Sequence, residues 1–223
     1  PASPTTTTSR SSRSAGADRP VPGPETDLAD VTVVGRRDER DRLDRLVDRT
    51  RTGAGGSVVV VGDAGLGKSA LVRHVAADRR GELLVIELAG VEVESRLAFA
   101  GLATLVGRSP ATLDVMDPRL AEVLGGAIGR ADVTPTGLDV NLATLAFVTA
   151  LAAGRPTLVV VDDAHWLDQA SLSVLTFVAR RLADDPAVIL LACRPTPDLA
   201  PYLQGIPVID LEPLALGHSV DLL

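Results

Sequence analysis

Short aliphatic runs and helix-favouring stretches alternate along most of this chain. The runs rich in Val, Ile and Leu, which we interpret as strands, cover residues 57–61, 83–88, 157–161, 187–192 and 208–211. Helical patterns lie before and between them at 37–47, 70–77, 96–106, 118–128, 140–152 and 169–182. Strands without polar alternation are typical of parallel sheets that are buried on both faces. The alternation therefore predicts an α/β fold with a doubly wound, mostly parallel sheet and flanking helices.

The least regular part of the chain is the stretch 109–137, which Pro, Gly and Asp interrupt. Only residues 118–128 within it show a helical pattern. The helix predicted just before this stretch, at 96–106, is expected to pack through Leu97, Leu102, Leu105 and Val106.

The N-terminal residues differ in composition from the rest of the chain. Residues 1–30 are rich in Pro, Ser, Thr and Arg, and they contain no apolar segment of the kind that a secretory signal requires. Such a composition cannot bury enough apolar surface to fold, so we expect a disordered, solvated tail. The ordered core is expected to cover residues 31–212.

Composition narrows the class of protein. Hydrophobic residues make up 46% of the chain but aromatic residues only 2%, so the core must be built from aliphatic side chains. The net charge of −7 argues against a nucleic-acid-binding surface formed by these residues alone. No segment approaches the roughly 20 consecutive apolar residues that span a bilayer, so we expect a cytoplasmic protein without membrane contact. The single cysteine, Cys193, excludes an internal disulfide, and its apolar neighbours predict a buried, unreactive thiol.

The most specific motif lies between the strand at 57–61 and the helix that follows it. Residues 62–69 read Gly-Asp-Ala-Gly-Leu-Gly-Lys-Ser and match the phosphate-binding pattern G-x-x-x-x-G-K-[ST] (Walker A) without a mismatch. Lys68 is the only lysine in the chain. The glycines allow backbone N–H groups to turn towards phosphate oxygens, and the helix N-terminus that follows also favours an anion. The alternative is a glycine-rich turn without a ligand.

We expect this loop to bind the phosphates of a nucleotide together with Mg²⁺. Lys68 would contact the β- and γ-phosphates, and the Ser69 hydroxyl would bind Mg²⁺. The residues expected to contact the nucleotide here are Gly62, Asp63, Ala64, Gly65, Leu66, Gly67, Lys68, Ser69 and Ala70.

Two acidic residues follow the strand predicted at 157–161, in the manner of a Walker B motif. Asp162 and Asp163 would lie at the carboxyl edge of a parallel sheet, where ligands of open α/β sheets bind. Asp162 is the expected Mg²⁺ ligand, directly or through water, alongside Ser69. Asp163 is the candidate catalytic residue that polarises the attacking water, and the alternative is that it only solvates the strand end.

Three further polar residues stand near the ends of predicted strands. Arg194 is expected to contact the γ-phosphate and to join Lys68 and Asp163 as a catalytic candidate; the alternative is that it pairs with a surface carboxylate. His165 has no second histidine at ligand spacing, which argues against a metal site there. Asp168 is expected to cap the helix that follows it.

Several strings of this sequence resemble one family of ATPase domains. They are VVGRRDERDRL, VVVVGDAGLGKSALVRHVA, AFAGLATLV, LVVVDDAHWLDQASLSVL, VILLACRP and LEPLAL. Together they resemble the ATPase domain of large ATP-binding regulators of the LuxR type, which belong with MalT-like activators to the STAND class of AAA-related P-loop NTPases. The resemblance runs from about Val33 to the C-terminus, and the string DDAHWLD is considerably more specific than the phosphate loop.

The resemblance implies further site residues and a mode of action. In this family the segment matching Val34, Gly35 and Arg36 packs near the adenine and ribose; without the resemblance, Arg36 reads as a solvated helix start. ADP holds family members in a closed state, ATP favours an open, self-associating state, and hydrolysis resets the switch. DNA binding belongs to a C-terminal region that is absent here, and residues 213–223 would be the start of a truncated helical lid.

Two other classes of function remain open on the sequence. An AAA-type remodelling or loader ATPase would need an arginine finger acting in trans, for which Arg180 and Arg181 are the candidates; a solvated helix end is the simpler interpretation of both. A P-loop small-molecule kinase would need an arginine-rich lid and an acceptor pocket, and the stretch 109–137 reveals neither. We therefore expect a slow, Mg-dependent ATPase that acts as the nucleotide switch of a LuxR-type transcriptional regulator; the alternative is a core that binds ATP and hydrolyses it negligibly.

Overall fold

The computed structural model describes residues 35–213. Three sequence-based expectations lie outside this range: the disordered tail at 1–30, the nucleotide contact at Val34, and residues 214–223 of the truncated lid. The domain boundaries near residues 30 and 212 stay predictions.

Within the described range, five strands form one parallel sheet. They are β1 Gly56–Val61, β2 Leu84–Ala89, β3 Thr157–Asp162, β4 Ala187–Cys193 and β5 Val208–Asp210. Their order across the sheet is β2-β3-β4-β1-β5, and every neighbouring pair runs parallel. The predicted α/β fold with a doubly wound parallel sheet is confirmed. Each strand lies within one residue of its predicted bounds, because uninterrupted aliphatic runs mark strands that are buried on both faces.

Seven α-helices flank this sheet over the same residues. They are α1 Arg37–Asp48, α2 Lys68–Arg79, α3 Ala100–Arg108, α4 Pro118–Ala127, α5 Gly137–Gly154, α6 Gln169–Ala179 and α7 Ala200–Leu203. Short 3₁₀ turns occur at Arg49–Thr52, Glu92–Glu94, Pro110–Val115 and Ala164–Trp166.

The core has two layers, one on each face of the sheet. In β3, Leu158 and Val160 belong to a buried cluster with residues of α1 and α2, whereas Val159 and Val161 pack with residues of α3 to α6. Successive side chains of a strand point to opposite faces, so one aliphatic run supplies both layers. The expected burial of Cys193 is confirmed, and this burial raises the pKa of its thiol to about 11.

Helix α3 begins at Ala100 rather than at residue 96. The residue before it, Phe99, has a left-handed backbone with φ of 64°, which does not continue a right-handed helix. The carboxylate of Asp168, distant in sequence, accepts the N–H of Phe99 at 2.8 Å. Leu97 therefore lies outside the helix and is 59% exposed, so its predicted packing role is wrong. The other three predicted packing positions, Leu102, Leu105 and Val106, are buried.

Two further helices differ from the prediction by three residues at one end. Helix α5 starts at Gly137 rather than at residue 140, because Thr136 and Asp139 form a capping box there. Helix α6 ends at Ala179 rather than at residue 182. By length and composition alone α5 could cross a membrane, but its Phe147 is fully buried in the core of this domain.

Candidate functional site

The site is built where the strand order reverses. Strand β1 lies between β4 and β5, and the loop of residues 62–67 leaves its carboxyl end and leads into α2. Ligands of open α/β sheets bind in the crevice at such a switch point. The carboxyl ends of β3 and β4 point to the same edge of the sheet, because all the strands are parallel. The fold thus brings the three predicted catalytic candidates to one edge.

The phosphate loop takes its shape from its own backbone. Gly65 and Gly67 have φ of 80° and 84°, in the left-handed region that L side chains rarely adopt. A Cβ at either glycine would meet no heavy atom within 4 Å, so the backbone angle and not the available space requires glycine. Helix α2 starts directly afterwards at Lys68, with its first N–H groups at the end of the loop. These are the conditions under which a helix N-terminus binds an anion.

Lys68 is folded over the loop that precedes it. Its side chain is buried, and Nζ donates a hydrogen bond to the carbonyl oxygen of Asp63 at 2.7 Å. This contact holds the ammonium group beside the backbone that is expected to surround the phosphates. The contact of Lys68 with the β- and γ-phosphates stays a prediction.

Ser69 and Asp162 meet across the crevice. The Ser69 hydroxyl donates to Oδ1 of Asp162 at 2.8 Å, and Asp162 is 5% exposed. Two hard oxygen ligands, one of them anionic, therefore lie where a metal-bound triphosphate would meet α2. This donor set fits Mg²⁺, which usually takes one or two protein ligands together with phosphate oxygens and water. No cluster of three or more His, Cys, Asp or Glu side chains occurs within residues 35–213, so these residues offer no all-protein metal cage.

Arg73 is a member of this site that sequence reasoning missed. It lies one helical turn after Ser69 on α2, and its Nη2 donates to Oδ2 of Asp162 at 2.9 Å. Spacing of four residues places the two side chains on one face of the helix, which was the available signal. Arg73 thus balances the negative charge of the buried Asp162 carboxylate.

Asp163 follows Asp162 in a left-handed conformation, with φ of 46°. Such backbone angles are uncommon outside glycine and cluster at functional sites, although aspartate tolerates them better than most residues. The Asp163 N–H donates to Oδ1 of Asp162 at 3.0 Å, and the Asp163 side chain is 46% exposed. The carboxylate is therefore open to solvent beside the expected metal ligand. This geometry suits a water-orienting role, and that role stays a prediction.

His165 lies beside Asp163 and the backbone of Arg194. Its side chain is 5% exposed, and Nδ1 is 4.0 Å from Oδ1 of Asp163 and accepts the Arg194 backbone N–H at 3.5 Å. Burial lowers the pKa of His165; Asp163 opposes this shift, and the charges of Arg194 and Lys68 reinforce it. A lowered pKa favours the neutral imidazole, which lies beside the Asp163 carboxylate and the Arg194 backbone. The sequence reasoning considered His165 only as a metal ligand.

Arg194 directly follows β4, as expected. Over residues 35–213, its side chain forms no ion pair with a carboxylate, so the alternative of a surface pair finds no support there. Its backbone N–H donates to His165, which follows the acidic pair in the chain.

Arg36 is buried, which contradicts its interpretation as a solvated helix start. Its guanidinium donates to the carbonyl oxygens of Leu66 at 3.2 Å and Glu212 at 2.6 Å, and it pairs with Glu39 at 3.1 Å. Arg36 thus joins the phosphate loop to the segment that follows β5. The neighbouring Gly35 is exposed with φ of 74°. Contact of either residue with a nucleotide stays a prediction.

Comparison with known proteins identifies the domain type. The family described as AAA ATPase domain matches residues 32–191. A curated protein of Rhizobium meliloti (strain 1021), described as uncharacterized protein R02095, is 26% identical over 191 residues. That alignment covers 74% of this chain and 19% of R02095.

Two solved structures show the same fold at low sequence identity. Cdc6p from Pyrobaculum aerophilum has a TM-score of 0.58 at 15% identity, over 87% of this chain and 51% of that one. A Drosophila ORC structure with bound DNA has a TM-score of 0.50 at 16% identity, over 77% of this chain and 41% of that one. The chain thus spans about a fifth of the curated relative and half of Cdc6p.

Proposed function

Because this chain belongs to the AAA ATPase domain family, we propose that its core binds Mg-ATP and hydrolyses it slowly at the carboxyl edge of the sheet. The observation that carries the proposal is the 2.8 Å contact between Ser69 and Asp162. It joins the end of the phosphate loop to the end of β3, so the anion site and the metal ligands belong to one crevice.

Binding is assigned to the phosphate loop. Its backbone N–H groups and the N-terminus of α2 surround the phosphates, and Lys68 supplies a compact positive charge to the β- and γ-phosphates. Bound Mg²⁺ supplies charge neutralisation of the phosphate oxygens. Ser69 and Asp162 are the residues that would hold it.

Hydrolysis is assigned to Asp163 with Arg194. Asp163 accepts a hydrogen bond from a water molecule and takes its proton as the water oxygen attacks the γ-phosphorus. The bond from that phosphorus to the oxygen of ADP breaks, and Arg194 neutralises charge that develops on the γ-phosphate oxygens.

The first candidate for the role of this ATPase is the nucleotide switch of a LuxR-type, STAND-class regulator. The DDAHWLD string supports this role. A loader would need a free arginine finger, and the two candidates, Arg180 and Arg181, contact their own chain instead. Arg180 donates to the carbonyl oxygens of Thr176 and Gln204 at 2.8 Å, and Arg181 stacks on the Phe177 ring at 3.5 Å. Both candidate fingers are therefore engaged within their own chain.

The second candidate is an AAA-type loader ATPase. The likeness in fold to Cdc6p, and to ORC solved with DNA, favours this role. A net charge of −7 means that DNA contact would need other parts of a longer protein or a subunit assembly.

Nucleotide titration by calorimetry tests the shared part of the proposal. With Mg²⁺, the chain should bind ATP and ADP and prefer them to GTP, and Lys68→Ala should lose measurable binding. Arg45→Ala is the matched control, because it removes an exposed cation on α1 away from the loop. Unchanged ATP affinity in Lys68→Ala would contradict the proposal.

The dependence of ATPase activity on protein concentration separates the two roles. A loader whose arginine finger acts in trans should gain activity per molecule as the subunits assemble, and Arg180→Ala should remove that gain. A switch core completes its site within one chain, so its activity per molecule should stay constant. A gain that Arg180→Ala abolishes would exclude the switch interpretation of these residues.

A further inference from the structure

The segment that connects β2 to α3 packs on the turn that carries Asp163. Gly90, directly after β2, donates its N–H to the carbonyl oxygen of Asp162 at 2.9 Å. A Cβ at Gly90 would lie 2.2 Å from the carbonyl oxygen of Asp163, and 2.8 and 2.9 Å from backbone atoms of Leu167 and Trp166. Backbone atoms cannot rotate away as a side chain can, so any larger residue must displace the turn itself.

Asp168, at the other end of the turn 162–168, also contacts the segment that connects β2 to α3. Its carboxylate is 3% exposed and accepts three backbone N–H groups. Ser171, in the first turn of α6, and Phe99 each donate at 2.8 Å, and Gly101 donates at 3.0 Å. A buried carboxylate with three N–H donors is well paired, and charge-assisted bonds of this kind are among the stronger ones. One side chain therefore ties the starts of α3 and α6 together.

Two smaller contacts complete this interface. The hydroxyl oxygen of Ser171 accepts the Leu102 N–H at 2.8 Å. A Cβ at Gly101 would lie 2.6 Å from Cδ1 of Leu167. Residues 90–102 and 162–171 thus fit closely, backbone against backbone at one end and through buried hydrogen bonds at the other.

We infer that Gly90 and Asp168 are positioning residues, which hold Asp163 in its left-handed conformation at the end of β3. The inference rests on the proposed function, in which Asp163 orients the attacking water. Neither residue hydrogen-bonds to the phosphate loop, so they act on turnover and not on phosphate binding. A displacement of about 1 Å at a reacting group can cost on the order of 100-fold in rate.

Asp168→Ser provides the first test. A serine can still cap α6, but its single, shorter hydroxyl group cannot also accept the N–H groups of Phe99 and Gly101. The expected result is a fall in kcat of about 10-fold or more with the Kd for Mg-ATP unchanged. Asp168→Asn keeps one acceptor oxygen and should lie between the wild type and Asp168→Ser.

Asp117→Ala is the matched control. Asp117 also caps a helix, α4, by accepting the N–H groups of Arg119 and Leu120, but it is not part of this interface. Loss of this cap should lower the thermal midpoint without changing kcat. The comparison separates loss of a helix cap from displacement of Asp163.

Gly90→Ala and Gly81→Ala form a second matched pair. A Cβ at Gly81 would meet no heavy atom within 4 Å, so only Gly90→Ala should lower kcat. Trp166, the only tryptophan in the chain, contributes a backbone atom that a Cβ on residue 90 would approach to 2.9 Å. Its emission spectrum should therefore shift in folded Gly90→Ala and stay as in the wild type in Gly81→Ala.

The outcomes separate this inference from the proposed function. Turnover that depends on Asp163 but is normal in Asp168→Ser and Gly90→Ala would overturn the inference alone. A loss of kcat in Asp117→Ala as large as in Asp168→Ser, or a Kd that weakens in step with kcat, would also overturn it. A wild type without ATPase activity, or with activity that Asp163→Asn leaves intact, would overturn the proposed function and the inference with it.

Discussion

The phosphate loop at 62–67 and the turn at 162–168, which we call the acidic turn, lie at the same edge of the sheet. They keep their shapes by different means. The loop at 62–67 takes its shape mainly from Gly65 and Gly67, which are left-handed with open space around them, and from the contact of the adjacent Lys68 with Asp63, although Arg36 also donates to the carbonyl oxygen of Leu66. The turn at 162–168 also contains a left-handed residue, but partners 69 and 67 positions away in the chain hold it. A contiguous motif can therefore be found by reading the chain, whereas the support of the turn is visible only in the fold.

Gly67→Val should have the largest effect on nucleotide binding. It also tests whether the rest of the domain depends on the shape of the phosphate loop. A β-branched residue is strained at φ of 84°, so the backbone cannot keep the shape that binds phosphates. Calorimetry should show binding of Mg-ATP weakened by about 100-fold or more. Denaturant titration should show a loss of only about 1–3 kcal/mol in the free energy of unfolding, because the space is open. A larger loss of stability would show that the loop supports the rest of the domain.

Asp162→Ala should come next, because it removes the residue that links the two regions. The change deletes the acceptor of the Ser69 hydroxyl and the expected metal ligand, so turnover should fall by about 100-fold or more. Steady-state ATPase assays across a range of Mg²⁺ concentrations provide the measurement. Arg73→Ala is the control, since that half-exposed partner of Asp162 should matter by no more than a few-fold. Equal effects of the two changes would contradict the assigned metal role.

Ser171→Ala should have an intermediate effect on stability and turnover. It tests the contact between α6 and α3 beside the acidic turn. It leaves the buried N–H of Leu102 without its acceptor, which costs about 1–3 kcal/mol in the free energy of unfolding. We expect a fall in kcat of a few-fold, smaller than for Asp168→Ser, and an unchanged Kd for ATP. Ser173→Ala, at an exposed position of the same helix, should behave as the wild type in both assays.

The smallest predicted effect is a dependence of stability on pH that comes from His165. Burial lowers its pKa in the folded state, so below about pH 6.5 the unfolded chain binds the proton more readily. The free energy of unfolding should therefore fall as the pH drops below that value, by at most about 1.4 kcal/mol per pH unit for one proton. His165→Gln should flatten this slope. An identical slope in His165→Gln would refute the assignment.

The strands and the phosphate loop were predicted well for a common reason. Both leave a signal within a few consecutive residues, namely an uninterrupted aliphatic run for a buried strand and closely spaced glycines for a loop with left-handed angles. The fold class and the order of the elements follow from these local signals. The cap of α6 by Asp168 was also predicted, because a cap concerns residues only three positions apart.

The start of α3 and the environment of Arg36 could not be predicted in the same way. Phe99 is held outside the helix by a carboxylate from beyond β3, and Arg36 is buried against the carbonyl oxygen of Glu212. Helix propensity and charge patterns describe neighbours along the chain, and they contain no information about a partner at such a separation. The contact between Arg73 and Asp162 joins residues 89 positions apart, and the four-residue spacing of Arg73 from Ser69 was its local signal.

The local sequence was sufficient for the parallel sheet, the phosphate loop and the acidic pair after β3, because short-range backbone preferences and hydrophobic periodicity encode them. The folded chain alone reveals that Ser69 meets Asp162, that His165 contacts the backbone of Arg194, and that Gly90 and Asp168 pack on the acidic turn. Those relations depend on how strands far apart in sequence are brought to one edge of the sheet. Close packing then leaves room for only one residue type at Gly90 and pairs every oxygen of the buried Asp168 carboxylate.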